Sequence, residues 1–353
     1  MKTNYEELRS ILEKHLHKFP EDIEHWHVYA DVLQELGDPQ GELIAIELAI
    51  EAGRKDLLEE RDLLRNKIVT PNDDLEIEWN HGVIATVHVR CNSSLELLSN
   101  EPIYKFIRLL ICNSFKIDIP LLLKIIPLLE SLSSIALSSN EIDPAGIKAL
   151  AASPHLSSLT SLDLRYNKIG RQVAKAIATS PHLSSLTSLR LCYNQIGDAG
   201  AVALATSPHL SSLTSLALGY NRIGDEGVKA LSASPHLSSL TSLSLWSNQI
   251  GDEGVKALAA SIHPSSLTSL CLWSNQIGDE GIKALAASPY LSSLTSLDLG
   301  YNRIGVDGAK ALAASPYLSS LTSLNLRGNK IGNEGYEALA ASPHLSSLTY
   351  FST

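Results

Sequence analysis

Two His-x-His pairs, His15/His17 and His25/His27, are the first residues whose types and spacing could hold a metal. On a helix, residues i and i+2 point to different faces, so neither pair can close on one ion without a break. A second histidine set recurs in Ser-Pro-His-Leu at His155, His182, His209, His236 and His344, while Tyr290 and Tyr317 take the same slot elsewhere. A slot that accepts tyrosine does not need imidazole chemistry, and it reads as a loop residue at a helix end. Cys91, Cys112, Cys192 and Cys271 are too scattered for a disulfide framework or a zinc knuckle. They read as reduced thiols of a cytoplasmic protein. Cys192 and Cys271 are expected on one strand face at least ~14 Å apart at normal strand spacing, too far for one site, and no histidine stands beside them as a base. Ile-Gly-Asp-Glu-Gly lacks the Lys-Ser/Thr of a phosphate loop. No catalytic residue, metal or cofactor is expected.

Composition bounds the remaining possibilities. Of 353 residues, 44% are hydrophobic and 19% charged, the balance of a folded chain. No apolar run reaches membrane-span length, and the N-terminus alternates charge with leucine where a signal peptide would be apolar. Net charge is −10, and residues 1–100 carry 21 acidic and 10 basic side chains. With no basic stripe in view, nucleic acid is a poor partner candidate.

The positions above are held by a repeat. Asn140, Asn167, Asn194, Asn221, Asn248, Asn275, Asn302 and Asn329 each close a copy of Leu-Thr-Ser-Leu-x-Leu-x-x-Asn, always 27 residues apart, and eight units tile residues 132–347. In Leu213–Asn221, Leu216 and Leu218 alternate with small residues, a short half-buried strand. Asn221 is placed to bond backbone groups where the chain leaves the strand. Ile223-Gly224 turns the chain, Asp225 reads as the N-cap of a short helix, and Pro235 stops that helix. No unit can bury its own Leu and Ile, so neighbours must stack. The fold class is α/β: a curved solenoid with parallel strands on the concave side and helices on the convex side.

Against this constant scaffold, the residues between and just after the core leucines vary. They include Asp163, Arg165, Tyr166, Arg190, Tyr193, Tyr220, Trp246, Trp273, Asp298, Tyr301, Asn325 and Arg327. Side-chain alternation puts them on the concave face, and Tyr, Trp and Arg are the types that dominate binding hot spots. They are the expected partner-binding residues.

The unit Leu-Thr-Ser-Leu-x-Leu-x-x-Asn-x-Ile-Gly-Asp-Glu-Gly-x-Lys-Ala-Leu resembles the ribonuclease-inhibitor-like class of leucine-rich repeats, found also in innate-immune receptors and Ran GTPase-activating proteins. Units of 27 residues throughout, and few cysteines, depart from the inhibitor itself. The resemblance implies a binding scaffold for a protein partner, with GTPase regulation and a self-associating structural role as alternatives. It fades over two degenerate units, Val87–Asn92 and Tyr104–Cys112. Upstream, Tyr29-Ala-Asp-Val-Leu-Gln-Glu-Leu-Gly-Asp-Pro-Gln-Gly-Glu42 resembles a bacterial repeat-companion domain, with Val32 and Gln40 where that family has Trp and Arg. Its helices are expected over residues 4–70, broken near Pro20, Gly37–Pro39 and Gly53, with Leu8, Ile11, Leu12 and Leu16 at helical spacing. The expected domains are residues 1–72 (helical companion), 73–131 (degenerate capping repeats), 132–347 (repeats) and 348–353 (a truncated strand). Phe351 takes the slot of the first core leucine there, and weak self-association through that edge is expected.

Overall fold

The computed structural model describes residues 2–69, 73–98 and 106–352. The chain divides into two compact units, Met1–Ala136 and Leu137–Thr353.

The first unit opens with helices Lys2–Lys18, Ile23–Leu36, Pro39–Glu51 and Leu58–Ile68, and the expected breaks fall between them. Gly37, with φ 76°, is the left-handed C-cap of the second helix, a conformation without penalty only for glycine. Asp38 caps the third by accepting from the Gln40 N–H, and Pro39 takes the first helical position, where no N–H is needed. A Cβ on Gly41 would stand 2.7 Å from the Ala30 carbonyl, so this glycine lets the two helices touch. Tyr29 is fully buried and its hydroxyl donates to Glu13. The companion-like motif is thus accounted for by packing. Leu12 and Leu16 join Trp26, Tyr29 and Leu33 in the core, whereas Leu8 and Ile11 are exposed. The apolar spacing of the first helix therefore ran wider than its buried stripe.

Next come strands β1 (Leu75–Asn80) and β2 (Val83–Val89), an antiparallel hairpin, then β3 (Leu109–Ile111) and β4 (Ser134–Ala136), each parallel to the strand before. The two segments expected as degenerate units contribute to β2 and β3, which pair in parallel, and Tyr104 lies outside the described residues. The hairpin was not expected from sequence.

In the second unit, β5 (Ser161–Asp163), β6 (Ser188–Arg190), β7 (Ser215–Ala217), β8 (Ser242–Ser244), β9 (Ser269–Cys271), β10 (Ser296–Asp298), β11 (Ser323–Asn325) and β12 (Tyr350–Ser352) pair in parallel with no shift. From β5 to β11 each strand is joined to the next by a helix and a short 3-10 turn, and β11 is joined to β12 by a helix without one. The core leucines stack in file, Leu189 on Leu216 on Leu243, and Phe351 stands beside Leu324 as its slot requires. Each leucine so buried contributes about 1.5–3 kcal/mol relative to exposure.

Polar side chains link neighbouring repeats at each corner. Thr214 Oγ1 donates to the Thr187 carbonyl at the strand entrance. Asn221 Oδ1 accepts from the Asn194 and Ile196 amides, while its Nδ2 donates to Leu191 and Gly219 carbonyls. Ser234 Oγ donates to the Ala205 carbonyl at the helix end. The Asp225 expectation needs correction. Asp225 lies inside its own helix, Asp225–Ser232, whose N-cap Gly224 makes no side-chain bond. Its Oδ1 instead accepts from the Gly251 and Gly254 amides, 2.7 and 3.0 Å away, capping the helix of the following repeat. Asp198, Asp252 and Asp279 do the same for Gly224, Gly278 and Gly305. Stacking brings the next helix's free amides onto this carboxylate, and local spacing could not show that.

Candidate functional site

The variable positions form one field on the strand side of the second unit. Pairing without shift sets Asp163, Arg190, Ala217 and Ser244 side by side, continuing through Cys271 and Asp298 to Asn325. Asp163 is only 6% exposed, and Arg165 covers it with Nε 2.9 Å from both carboxylate oxygens. This pair is a neutral unit, and the carboxylate holds the guanidinium pKa above its ordinary value. Arg190 is exposed. At the other end Asn325 Nδ2 donates to Asp298 Oδ1 at 2.9 Å, and Arg327 stands 6.0 Å from the Tyr301 ring centre.

Between these ends the aromatic residues form one row. Tyr166 stacks on Tyr193 at 4.1 Å between centroids, and Tyr193 on Tyr220 at 4.4 Å. Tyr193 meets Trp246 edge-on at 5.2 Å, Trp246 meets Trp273 at 6.3 Å, and Trp273 meets Tyr301 at 5.3 Å. Tyr166, Tyr220 and Tyr301 are 47%, 55% and 45% exposed. Tyr193 and both tryptophans are half-buried. Burial, then the hydrogen bond with Tyr166, raises the Tyr193 phenol pKa.

All four tyrosines sit where φ is between 54° and 59°, the left-handed region that disfavours side chains with a Cβ. Ser139, Ser247 and Ser274 fill the same slot with the same backbone, and Gly328 fills it in the last full repeat. Ring stacking offsets a cost that the serine repeats bear more cheaply.

Three glycines at the variable strand-face positions are part of this site, in a role that residue type alone did not indicate. A Cβ on Gly219 would stand 2.2 Å from Trp246 Nε1, one on Gly300 2.8 Å from Trp273 Cδ1, and one on Gly328 2.8 Å from Tyr301 Cδ1. Each is a seat for a ring from an adjacent repeat. The available signal was glycine at positions that otherwise vary among larger side chains.

The two strand-face cysteines, Cys192 and Cys271, behave as apolar residues. Cys192, expected on the strand face, is buried there, and burial raises its pKa. Burial pushes the Cys271 thiol up to about 11. Neither is a thiolate near neutral pH, so neither is set up as a nucleophile.

In the first unit, one histidine from each His-x-His pair meets the other across a helix turn. His15 Nε2 and His25 Nδ1 lie 2.9 and 2.8 Å from the same Asp22 oxygen, and the rings stack at 3.9 Å with 23° between planes. His15, Asp22 and His25 thus gather their polar atoms in one cluster around a shared carboxylate. The hydrogen bond from His15, then that with His25, lowers the Asp22 pKa to about 2. The recurrent histidines at 155, 182, 209 and 236 lie in the 3-10 turns after the helices.

The repeat defines a leucine-rich-repeat protein. The family model described as Leucine Rich repeat matches residues 129–151, 155–178, 182–205, 209–232, 236–259, 263–286, 290–313 and 317–340, more than half of the chain, and the protein belongs to that family. Such folds commonly act as protein-interaction scaffolds. Similar solved structures include an internalin (inlF) of Listeria monocytogenes str. 4b F2365, at 22% identity, covering 70% of this chain and 74% of that one, with a TM-score of 0.42. Another is TLR13 in complex with ssRNA13, at 20% identity and a TM-score of 0.43, where 72% of this chain spans 37% of that one. No curated protein matches the sequence. Among the described residues, no helix is long and apolar enough to cross a membrane.

Proposed function

We propose that the second unit is a non-enzymatic docking module that holds a protein partner on its strand face. The supporting observation is the unbroken row of six aromatic rings from Tyr166 to Tyr301, open to solvent at Tyr166, Tyr220 and Tyr301. Rings in a left-handed backbone slot that serine also fills are not needed for the fold. Exposed aromatic surface of this extent marks an interaction site.

On this reading Arg165, Arg190 and Arg327 flank the contact, and Asp163 enters it only through Arg165. Asp298 and Asn325 act together as one polar group. The ribonuclease-inhibitor-like subclass, the companion character of residues 1–72, the remaining domain limits and a cytoplasmic setting belong to the same proposal. The Leu-Thr-Ser-Leu-x-Leu-x-x-Asn unit supports the subclass, the Tyr29–Glu42 motif the companion reading, and the free cysteines the setting.

The test exploits the serine repeats. A Tyr166→Ser/Tyr220→Ser/Tyr301→Ser variant keeps a side chain that this backbone already accepts, so its melting temperature should stay close to wild type. Its capture of the cellular partner should be lost. Capture at wild-type level by the folded variant would refute the strand face as the docking site.

A further inference from the structure

We infer that the partner recognised on this face is an acidic, extended polypeptide segment; the inference rests on the strand-face reading above. Immediately after each ladder asparagine, two positions past the slot that the tyrosines fill, comes an exposed residue. From residue 168 to 330 this position holds Lys168, Arg222, Arg303 and Lys330, with glutamine in the other three repeats. Only the first copy, Glu141, is acidic. Arg190 and Arg327 add exposed cations on the strands, Asp163 is neutralised by Arg165, and Asp298 adds one half-buried carboxylate bonded to Asn325. A chain of net charge −10 therefore carries a cationic border along one face of its repeats.

Four of the carboxylates on the opposite, helix side are engaged as caps, and others pair with lysines such as Lys229 and Lys256. Charge is thus sorted by face. A border of one sign beside a low-dielectric aromatic strip favours ligands of the opposite sign.

The orientation of the rings selects among anions. Tyr193 has both faces covered, by Tyr166 and by Tyr220, so this run offers edges and hydroxyls. Ring edges are the positive part of the aromatic quadrupole, and phenols donate hydrogen bonds to carboxylates and carbonyls. Single-stranded nucleic acid needs open ring faces on which bases can stack, and the central ring of this run, Tyr193, offers neither of its own. The cation spacing also suits a polypeptide. At ~4.8 Å between strands, Lys168 and Arg222 are ~10 Å apart and Arg222 and Arg303 ~14 Å, or about three and four residues of extended chain at ~3.3 Å each.

The probe is a fluorescein-labelled peptide of about a dozen residues with Glu at every third position and Leu and Ser between. Its Lys-for-Glu counterpart and a thymidine oligonucleotide of equal charge are the controls. Anisotropy titrations with the full chain should show saturable binding of the Glu peptide that weakens with salt, and none of the Lys peptide. Arg222→Glu/Arg303→Glu should weaken binding by about tenfold or more. Undetectable binding of the Glu peptide, equal binding of the Lys peptide, or tighter binding of the oligonucleotide would each overturn the inference. The tyrosine-to-serine triple variant separates the two readings. If it abolishes peptide binding while the charge reversals do not, the acidic class is wrong and the strand face stands. If both variants bind as wild type, the strand face fails as well. Circular dichroism and thermal melts confirm that each variant is folded.

Discussion

Seven turns in the second unit are built from the same Ile-Gly pair, yet they divide into two conformations. Gly224, Gly251, Gly278 and Gly305 are extended, with φ between −105° and −102°. Gly170, Gly197 and Gly332 are left-handed, with φ of 70°, 61° and 61°. The residue 26 positions earlier separates the groups: Asp198, Asp225, Asp252 or Asp279 before the extended turns, and Pro144, Arg171 or Val306 before the left-handed ones. With the carboxylate present, the glycine amide turns back to it at 2.6–2.7 Å. Without it, the Gly170 and Gly197 amides turn forward to the Asn194 and Asn221 carbonyls. A local conformation is therefore set by a side chain in the preceding repeat, because a helix-start amide must find an acceptor somewhere.

The ladder shared by both groups should give the largest loss. Asn194→Ala and Asn221→Ala each orphan buried amides and carbonyls, costing about 3 kcal/mol apiece in denaturant unfolding. A clear inequality would mean that the asparagine ladder also differs between the two groups. Next, Gly197→Ala should cost about 1–2 kcal/mol, because only glycine holds its left-handed backbone freely. Gly224→Ala, extended and 3.4 Å from the nearest Asp198 oxygen, should cost less than about 0.5 kcal/mol. The reverse order would break the comparison.

Asp252→Ala should cost about 1 kcal/mol, as a lost cap does, and should speed hydrogen exchange at the Gly278 amide. Val306→Asp should work in the opposite sense, gaining about 0.5 kcal/mol and slowing exchange at Gly332. Unchanged exchange there would show that the aspartate alone does not choose the turn.

Asp22 is the counter-example, an aspartate that caps its own helix through the His25 amide and is held by two histidines. Its carboxyl is lowered in the folded chain, so its contribution is complete above the usual carboxylate range. That contribution is lost as pH falls through about 2. Acid unfolding between about pH 4 and 2 should be less steep in Asp22→Asn, and identical curves would remove this role.

Much of this was legible because repetition multiplies a weak signal. Eight asparagines in phase exposed the ladder, and Leu216 and Leu218 gave the buried strand face. The 3.6-residue period and the Pro and Gly breaks placed the N-terminal helices. What escaped was what depends on neighbours in space. Asp225 looked like a local cap because sequence cannot show which helix start lies over it. Cys192 looked accessible because alternation tells which face a side chain takes but not how deeply it is buried there. His15 and His25 were assigned to separate pairs because the turn that joins them is a tertiary contact. Gly219 and Gly300 looked empty, although they are shaped by indoles from other repeats.

The Thr, Asn, Asp and Ser bonds have one further property: each joins a residue to its counterpart's surroundings about one unit away. Removing or inserting a whole 27-residue block between equivalent points would leave almost every such bond with a chemically identical replacement. A gain or loss of any other length would put all four series out of phase at once. The molecule can therefore change length in whole units with little penalty at the junction. A unit copied from an aromatic-bearing repeat would also extend the row by one strand spacing. The size of the recognised segment could then be tuned by gene duplication, without redesigning a single contact.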